Sequence, residues 1–181
     1  MELTTDRLIL RDFVFADWPD VLAYQRDPRY LRYYPWTDRS PEDVQRFVQM
    51  FLDQQAVRPR LKYQLVITLK TTRHLIGNCG VRMKSSDAHE ADIGYELAPD
   101  QWGYGYATEA ARAMIEFGFT HLKVHRIWSW CIADNVASAR VLERLGLHLE
   151  GRLHENEFFK DRWWDTLWYA ILADEWREKQ R

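Results

Sequence analysis

Several side chains in the second half of the sequence could carry proton-transfer chemistry. They are Asp92, Glu96, Ser138 and Glu157, with His154 as a further candidate. A carboxylate can take a proton from a nucleophile, a hydroxyl can return one to a leaving group, and an imidazole titrates near neutral pH. Each of them could instead be an ordinary polar side chain on the surface. The choice depends on whether the fold places them beside a ligand site.

Residues 100–118, DQWGYGYATEAARAMIEFG, place two glycines at the start of a predicted helix. A helix N-terminus exposes unpaired backbone N–H groups and a partial positive charge. Gly103 and Gly105 carry no side chain to block an anion, so the turn could bind a phosphate or pyrophosphate. The alternative is a tight turn that needs glycine only for its backbone conformation. The dinucleotide pattern GxGxxG is excluded because its last position is Thr108, and no P-loop lysine is present.

The hydrophobic periodicity predicts the elements that must position these residues. Predicted strands cover residues 3–13, 63–70, 75–83, 90–99, 125–133, 147–161 and 162–172. Predicted helices begin after Asp17, Ser40, Gly105 and Asn135, and Gly146 ends the last of them. This order indicates an α+β domain (α/β in some schemes) with a mixed sheet covered by helices.

The composition limits the class of protein. The chain has 181 residues, 46% of them hydrophobic and 29% charged, which is typical of one globular domain. The net charge of −2 gives no broad basic surface, so no nucleic-acid partner is expected. Without an apolar membrane span or a signal-like start, we expect a cytoplasmic protein with no membrane partner. Cys79 and Cys131 lie in separate apolar stretches, which predicts neither a disulfide nor a metal site.

Three segments carry a resemblance to a known family. ADIGYELAPDQWGYGYATEAARAMIEFGF resembles the acetyl-CoA motif of the GNAT acetyltransferases, in particular the RimJ/RimL-like branch. ADNVASARVLERLGLHLEGRL resembles a second motif of that branch, and TDRLILRDF resembles its first strand. The resemblance implies a single N-acetyltransferase domain over residues 1–181, with a central, splayed, mixed sheet flanked by helices. It would transfer acetyl from acetyl-CoA to a primary amine by direct attack in a ternary complex, without a metal.

The resemblance also implies where acetyl-CoA binds. The glycine turn would hold the pyrophosphate, the end of the preceding strand would pair with the pantetheine arm, and the start of the next helix would contact the cofactor. The implied cofactor-binding residues are Leu97, Ala98, Pro99, Trp102, Gly103, Tyr104, Gly105, Tyr106, Ala107, Thr108, Asn135 and Ser138. A backbone N–H near Leu97 could stabilise the oxyanion. Asn135 could also act only as a helix cap.

The catalytic groups are less tightly specified. A tyrosine that the family often carries in the second motif is Leu142 here, so we expect Ser138 to protonate the leaving thiolate. Glu157 matches a glutamate that RimL-like members use and is our first candidate for the base. Asp92 and Glu96, which share one face of a predicted strand, are the alternatives.

Two expectations concern the surroundings of the base and the acceptor. Strict alternation would place Glu155 and Glu157 on one face, and His154, Asn156 and Phe158 on the other. The aromatic neighbours of Glu157 would then be Phe158, Phe159 and Trp163. By resemblance, the loop residues Tyr33, Tyr34 and Trp36 would form the acceptor groove; otherwise they cap the core.

Two rival functions stay open at this stage. One is a non-catalytic acyl-CoA-binding or sensor module of the same fold, and the other is a phosphate- or nucleotide-binding domain. The acceptor amine is also open among protein N-termini, polyamines, amino acids and antibiotics. A homodimer is compatible with the sequence.

Overall fold

Eight strands within residues 1–179, the part of the chain that the structure describes, form one sheet in this computed structural model. They are β1 (Glu2–Thr4), β2 (Leu8–Asp12), β3 (Lys62–Leu69), β4 (Leu75–Met83), β5 (Glu90–Leu97), β6 (Arg126–Ile132), β7 (His148–Phe159) and β8 (Arg162–Leu172). Their order in the sheet is β1-β2-β3-β4-β5-β6-β8-β7. Only β5 and β6 are parallel neighbours in this described sheet, so the predicted mixed sheet is confirmed.

Helices cover both faces of the sheet. They are α1 (Trp18–Gln25), α2 (Pro28–Leu31), α3 (Pro41–Ala56), α4 (Tyr106–Thr120), α5 (Val136–Arg144) and α6 (Ala173–Glu178). The first three pack on one side of the central strands, which we call the front face, and the other three pack on the back face. None of the helices in the described residues is long and apolar enough to cross a membrane.

Each face has its own apolar core. On the back face, Ile115 of α4, Ile127 of β6 and Leu142 of α5 are fully buried in one cluster. On the front face, Val21 of α1 and Val44 of α3 are buried in a second cluster. Leu142, which stands where the family often has a tyrosine, is therefore a core residue.

Local sequence signals explain where several helices begin. The Ser40 hydroxyl accepts a hydrogen bond from the Asp43 N–H at 3.1 Å, and the Asp43 carboxylate accepts one from the Ser40 N–H at 3.0 Å, so the predicted cap of α3 is confirmed. Asp17 precedes α1 as predicted, but its side chain does not cap that helix. It accepts from Arg11 and from the Val14 N–H instead.

One other predicted element was wrong, and the helices α2 and α6 were not predicted. Residues 3–13 form a hairpin of β1 and β2 rather than one strand, with Leu3 opposite Leu10. The polar residues Thr5–Arg7 form the turn between the two strands, and the Thr5 N–H donates to the Leu8 carbonyl at 3.0 Å. The helix α6 was not predicted, although the Glu175 carboxylate accepts from the Leu172 N–H at its start.

Candidate active site

The gap between β5 and β6 is the centre of the candidate site. The two parallel strands pair only where Glu90–Asp92 meet Arg126–Trp128. Beyond that point they separate, and the Ser129 hydroxyl donates to the Ile93 carbonyl at 2.8 Å near the closed end of the gap. This confirms the splayed sheet that the resemblance implies.

Backbone groups of β5 point into this gap. Ala98 donates its N–H to the Ile76 carbonyl of β4 at 2.8 Å, so the alternation of the antiparallel ladder turns the backbone groups of Leu97 towards the gap. The Leu97 carbonyl accepts from Trp102 Nε1 at 3.0 Å. The Leu97 N–H can therefore meet a ligand. The Ala98 N–H is already used, and Pro99 has none.

The predicted pyrophosphate site lies where a short turn, Pro99–Gln101, leads into α4. Gly103 and Gly105 have φ angles of 85° and 82°, in the left-handed region that favours glycine. Apart from its chain neighbours, no heavy atom lies within 4 Å of a Cβ built at Gly103, so the turn is open there. The buried Thr108 Oγ1 has no hydrogen-bond partner among the described residues. These features fit an anion bound by backbone N–H groups at the start of α4.

The remaining turn residues lie at the surface around this site. Trp102 and Tyr104 are exposed, and Tyr106 stacks on Tyr104 with 5.7 Å between ring centroids. Ala107 is half-buried in the first turn of α4. The structure thus brings the predicted residues 102–108 together at one end of the gap.

Ser138 lies in the first turn of α5, on the back face. The Asn135 side chain accepts from the Ser138 N–H at 3.2 Å, so Asn135 is the predicted helix cap. The Ser138 hydroxyl lies 3.1 Å from the Tyr95 hydroxyl, which reaches it from β5. Burial raises the pKa of the neighbouring Cys131 thiol to about 11, although a hydrogen bond with Ser138 opposes the shift. A thiol that stays protonated is a poor nucleophile.

Glu96 is the acceptor of a cluster of hydrogen bonds on the front face. Its donors are the hydroxyls of Tyr24, Tyr30 and Tyr34 and the amides of Gln25 and Asn78, at 2.6 to 3.4 Å. Burial raises the pKa of Tyr24 well above its usual range, and the negative charge of Glu96 adds to the shift. The hydroxyl therefore remains a donor. With both carboxylate oxygens engaged, Glu96 joins the front helices to the sheet.

Asp92 is also engaged by a partner. Arg82 of β4 donates to it through Nε at 2.7 Å and through a terminal nitrogen. The same guanidinium donates to Gln64 at 2.9 Å, which extends the polar contacts along the front face. Asp92 and Glu96 share this face, as predicted, but each already has donors from the protein.

Glu157 differs from the other two carboxylates. It lies opposite buried Trp164 on the front face, is half-buried itself, and its carboxylate has no hydrogen-bond or salt-bridge partner within residues 1–179. The prediction of strict alternation around it was wrong. A bulge separates Leu153 from Glu157, and Glu155 has a φ of 47°, so the two sides of the bulge are not in one register.

The bulge also changes the neighbours of Glu157. The Asn156 side chain accepts from Thr166, which shares the front face with Trp164, so the predicted opposite placement of Asn156 was wrong. Phe158 and Trp163 form an exposed pair with 5.0 Å between centroids, and Phe159 stacks on Trp164. Trp164, rather than Phe158 or Trp163, is the aromatic residue opposite Glu157.

The aromatic loop residues separate into two groups. Tyr34 stacks on Tyr30 and on Trp36, with 4.6 and 4.9 Å between centroids. Tyr34 and Trp36 both pack against the front core. Tyr33 instead contacts the segment after β6 and the strand β8. Its hydroxyl donates to the Asp134 carbonyl at 2.9 Å. Its ring packs edge-on against Trp164, with 6.0 Å between the ring centroids. Of the three, only Tyr33 contacts Trp164, which is the cross-strand partner of Glu157.

Three residues of this region were not found from the sequence: Tyr95, Trp164 and Arg7. Arg7 donates to the Tyr104 carbonyl at 2.9 Å, from 97 positions away in the chain. Trp164 looks like any core aromatic until its partners are known. The IGYEL segment offered a signal for Tyr95, because a tyrosine beside a strand gap can reach a ligand site.

Comparisons with known proteins agree with this geometry. Residues 7–148 match the family model described as an acetyltransferase (GNAT) domain. The uncharacterised N-acetyltransferase YnaD of Bacillus subtilis (strain 168) is 35% identical over 182 residues, which cover 97% of this chain and 99% of YnaD. The crystal structure of a GNAT-family acetyltransferase from Bacillus anthracis has 31% identity and a TM-score of 0.85, and the match covers 97% of this chain and 100% of that chain.

A more distant structure is similar in fold and contains the cofactor. RimL, a ribosomal L7/L12 alpha-N-protein acetyltransferase solved in complex with coenzyme A, has 21% identity and a TM-score of 0.83, over 97% of this chain and 99% of its own. None of the described residues form a cluster of three or more His, Cys, Asp or Glu that could hold a metal ion. From the family match, the near-full-length relatives and the shared fold, the chain belongs to the GNAT family of acetyl-CoA-dependent N-acetyltransferases.

Proposed function

We propose that this N-acetyltransferase uses Glu157 as its general base and Ser138 as its general acid. One observation carries the assignment of the base. Glu96 and Asp92 accept hydrogen bonds from the protein, whereas Glu157 has no such partner within residues 1–179 and lies on the front face opposite Trp164, whose ring Tyr33 contacts. A general base needs a lone pair that is available to the nucleophile.

Acetyl-CoA supplies the acetyl group as an activated thioester. In the proposed reaction, Glu157 takes the proton from the amine, directly or through one water, so that nitrogen can attack. The Leu97 N–H stabilises the negative charge that develops on the acetyl oxygen. Ser138 donates a proton to the sulfur from the back face as the carbon–sulfur bond breaks. The two proton transfers thus use different sides of the gap.

The proposed cofactor site follows the gap from end to end. Residues 102–108 would hold the pyrophosphate, and Leu97 at the end of β5 would lie beside the thioester end of the pantetheine arm, where its free N–H faces the acetyl oxygen. Ala98 and Pro99 would contact the arm by packing, since neither offers a free N–H. Asn135 would act through its cap, which fixes the Ser138 backbone.

The proposed acceptor site is the front side of the gap near Tyr33. Tyr33 and Trp164 provide aromatic walls, and Glu157 provides a negative charge that favours a protonated amine before transfer. Tyr34 and Trp36 would act indirectly, by supporting the front helices. A protein N-terminus and a small primary amine both satisfy this chemistry.

We also propose that residues 1–181 form one catalytic domain that works in the cytoplasm, where acetyl-CoA is available. A homodimer is proposed as well. Leu149 and Leu153 of β7, the edge strand of the sheet, are exposed and would provide apolar contacts between the two copies.

A screen of primary amines with detection of the released thiol tests the proposal. The panel should contain short peptides with free N-termini, polyamines, amino acids and aminoglycosides. Thiol release should depend on the amine, because the amine attacks directly. If thiol is released at the same rate with each amine as without it, direct transfer is contradicted.

A further inference from the structure

Arg7 connects the turn between β1 and β2 to the glycine turn before α4. Its guanidinium donates to the Tyr104 carbonyl at 2.9 Å and lies 4.6 Å from the centre of the Tyr106 ring. A terminal nitrogen lies 3.5 Å from a Cβ built at Gly105. These contacts turn the Tyr104 carbonyl towards Arg7, so this oxygen does not face an anion at the turn.

Glu109 is an electrostatic obstacle at the same place. It lies in the first turn of α4, where its negative charge would repel a pyrophosphate. Arg7 donates to it through Nε at 2.6 Å and through its backbone N–H at 2.8 Å, and the Thr5 hydroxyl donates at 2.6 Å. Burial alone would raise the pKa of Glu109, but the hydrogen bonds from Thr5 and Arg7 outweigh it and lower the pKa. The carboxylate is thus charged and held by its partners.

We infer that Arg7 is a positioning residue for the pyrophosphate of acetyl-CoA. It holds the Tyr104–Gly105 backbone in place and cancels the charge of Glu109, so that the positive end of α4 can attract the ligand. The inference rests on the proposed binding of the pyrophosphate at residues 102–108.

The position of Arg7 in the fold suits this role. Its side chain is 48% exposed, whereas that of Glu109 is 17% exposed, so the carboxylate is enclosed and the guanidinium covers it from the solvent side. A planar guanidinium can bind a carboxylate and a carbonyl at once because its donors point in several directions. An ammonium group on a lysine would supply the charge without that geometry.

Calorimetric titrations with CoA and with pantetheine, which lacks the pyrophosphate, test the inference. Arg7→Ala should weaken CoA binding about tenfold, because the freed Glu109 charge repels the anion and the turn is no longer held. Pantetheine binding should stay at the wild-type value. Arg7→Lys should weaken CoA binding less than Arg7→Ala does. The loss in Arg7→Ala should shrink at high salt, which screens the repulsion.

Glu109→Gln is the matched control, because it removes the repelling charge and keeps most of the side-chain volume. It should bind CoA at least as tightly as the wild type. Unchanged CoA affinity in Arg7→Ala would overturn the inference, and so would equal weakening of CoA and pantetheine. A Glu109→Gln variant that loses as much CoA affinity as Arg7→Ala would also overturn it, because the pair would then only support the fold.

Two further outcomes are separated by the same titrations. If thermal unfolding shows that Arg7→Ala does not fold, Arg7→Lys is titrated with CoA and with pantetheine instead. Unchanged CoA affinity, or equal weakening of both ligands, would then overturn the inference. If the wild type binds pantetheine as tightly as CoA, the proposed pyrophosphate site itself is wrong and the inference falls with it.

Discussion

Glu157 and Ser138 lie on opposite faces of the sheet, and this separation suits the two proton transfers. A base that takes a proton from the amine must face the acceptor, whereas an acid that protonates sulfur must face the cofactor. In the proposed mechanism, both groups act at the gap between β5 and β6.

We expect Glu157→Gln to lower kcat by about 10²-fold, since glutamine cannot accept the proton. It should also remove the fall in rate at low pH, because that fall reports protonation of the base. Steady-state pH–rate profiles measure both effects. Glu155→Gln is the control, as Glu155 is exposed and lies within the bulge. Matching profiles for the wild type and Glu157→Gln would make Asp92 or Glu96 the better candidate.

Ser138→Ala should lower kcat by about 10²-fold while acetyl-CoA affinity changes little, because the hydroxyl acts on the leaving group. Binding by calorimetry and turnover by thiol release separate the two quantities. Ser129→Ala is a suitable control, since the Ser129 hydroxyl donates to Ile93 at the closed end of the gap. If Ser138→Ala loses stability but keeps its kcat, the Ser138 hydroxyl only stabilises the start of α5 and is not the acid.

At the scale of elements, the sequence predicted the features that contacts between nearby residues determine. The β4 strand occupies residues 75–83, as its apolar run predicts, and Ser40 with Asp43 fixes the start of α3. The bulge near Glu155 was not predictable from its own residues, because its geometry is set by pairing with β8 and by the Asp165 carboxylate, which accepts from the Glu155 N–H at 2.8 Å. The candidate base Glu157 therefore came from the resemblance, whereas Asn156 was predicted on the wrong face.

The glycine turn gives a prediction at this scale. Gly105→Val should weaken acetyl-CoA binding by about 1–3 kcal/mol, because a β-branched residue is strained at a φ of 82° and its side chain narrows the approach of the anion. Calorimetry on the folded variant measures the loss.

Gly151→Val provides the control for that change. Gly151 lies in β7, and a Cβ built there meets no heavy atom within 4 Å apart from its chain neighbours. It is not among the glycines with positive φ. Unchanged acetyl-CoA affinity in Gly105→Val would remove the anion site from the glycine turn.

At the scale of the whole molecule, the helical layer α1–α3 covers only part of the front face. Over β6 and β8, stacked Trp128 and Trp168 lie on that face with 5.0 Å between centroids, and Trp130 is exposed. We therefore propose that the acceptor approaches from this side, since α4 and α5 cover the back face. The richness in tryptophan was visible in the sequence, but the face on which these rings gather depends on strand order, which no local pattern encodes.

Glu96 holds this helical layer to the sheet, and its replacement separates a structural from a catalytic role. Its donors come from α1, α2, the aromatic loop and β4, over sequence separations as large as 72 residues. Glu96→Gln replaces one acceptor oxygen by a donor that faces other donors. We expect a loss of about 2–3 kcal/mol in the free energy of unfolding, since hydrogen bonds to a charged group are lost and a buried hydroxyl is left unpaired. Urea denaturation measures this loss.

The decisive comparison is between stability and turnover in the same variant. Asp92→Asn serves as the control on the same strand, because Asp92 makes only a half-exposed ion pair with Arg82, and such pairs contribute about 0–1 kcal/mol. If Glu96 is a structural centre, Glu96→Gln should lose stability while the folded fraction keeps its acetyl-CoA affinity and the low-pH fall in rate. If instead its stability matches that of Asp92→Asn and the rate becomes independent of pH at the acidic end, Glu96 is the base. The front helices would then be held mainly by their apolar core, and Glu157 would lose its assigned role.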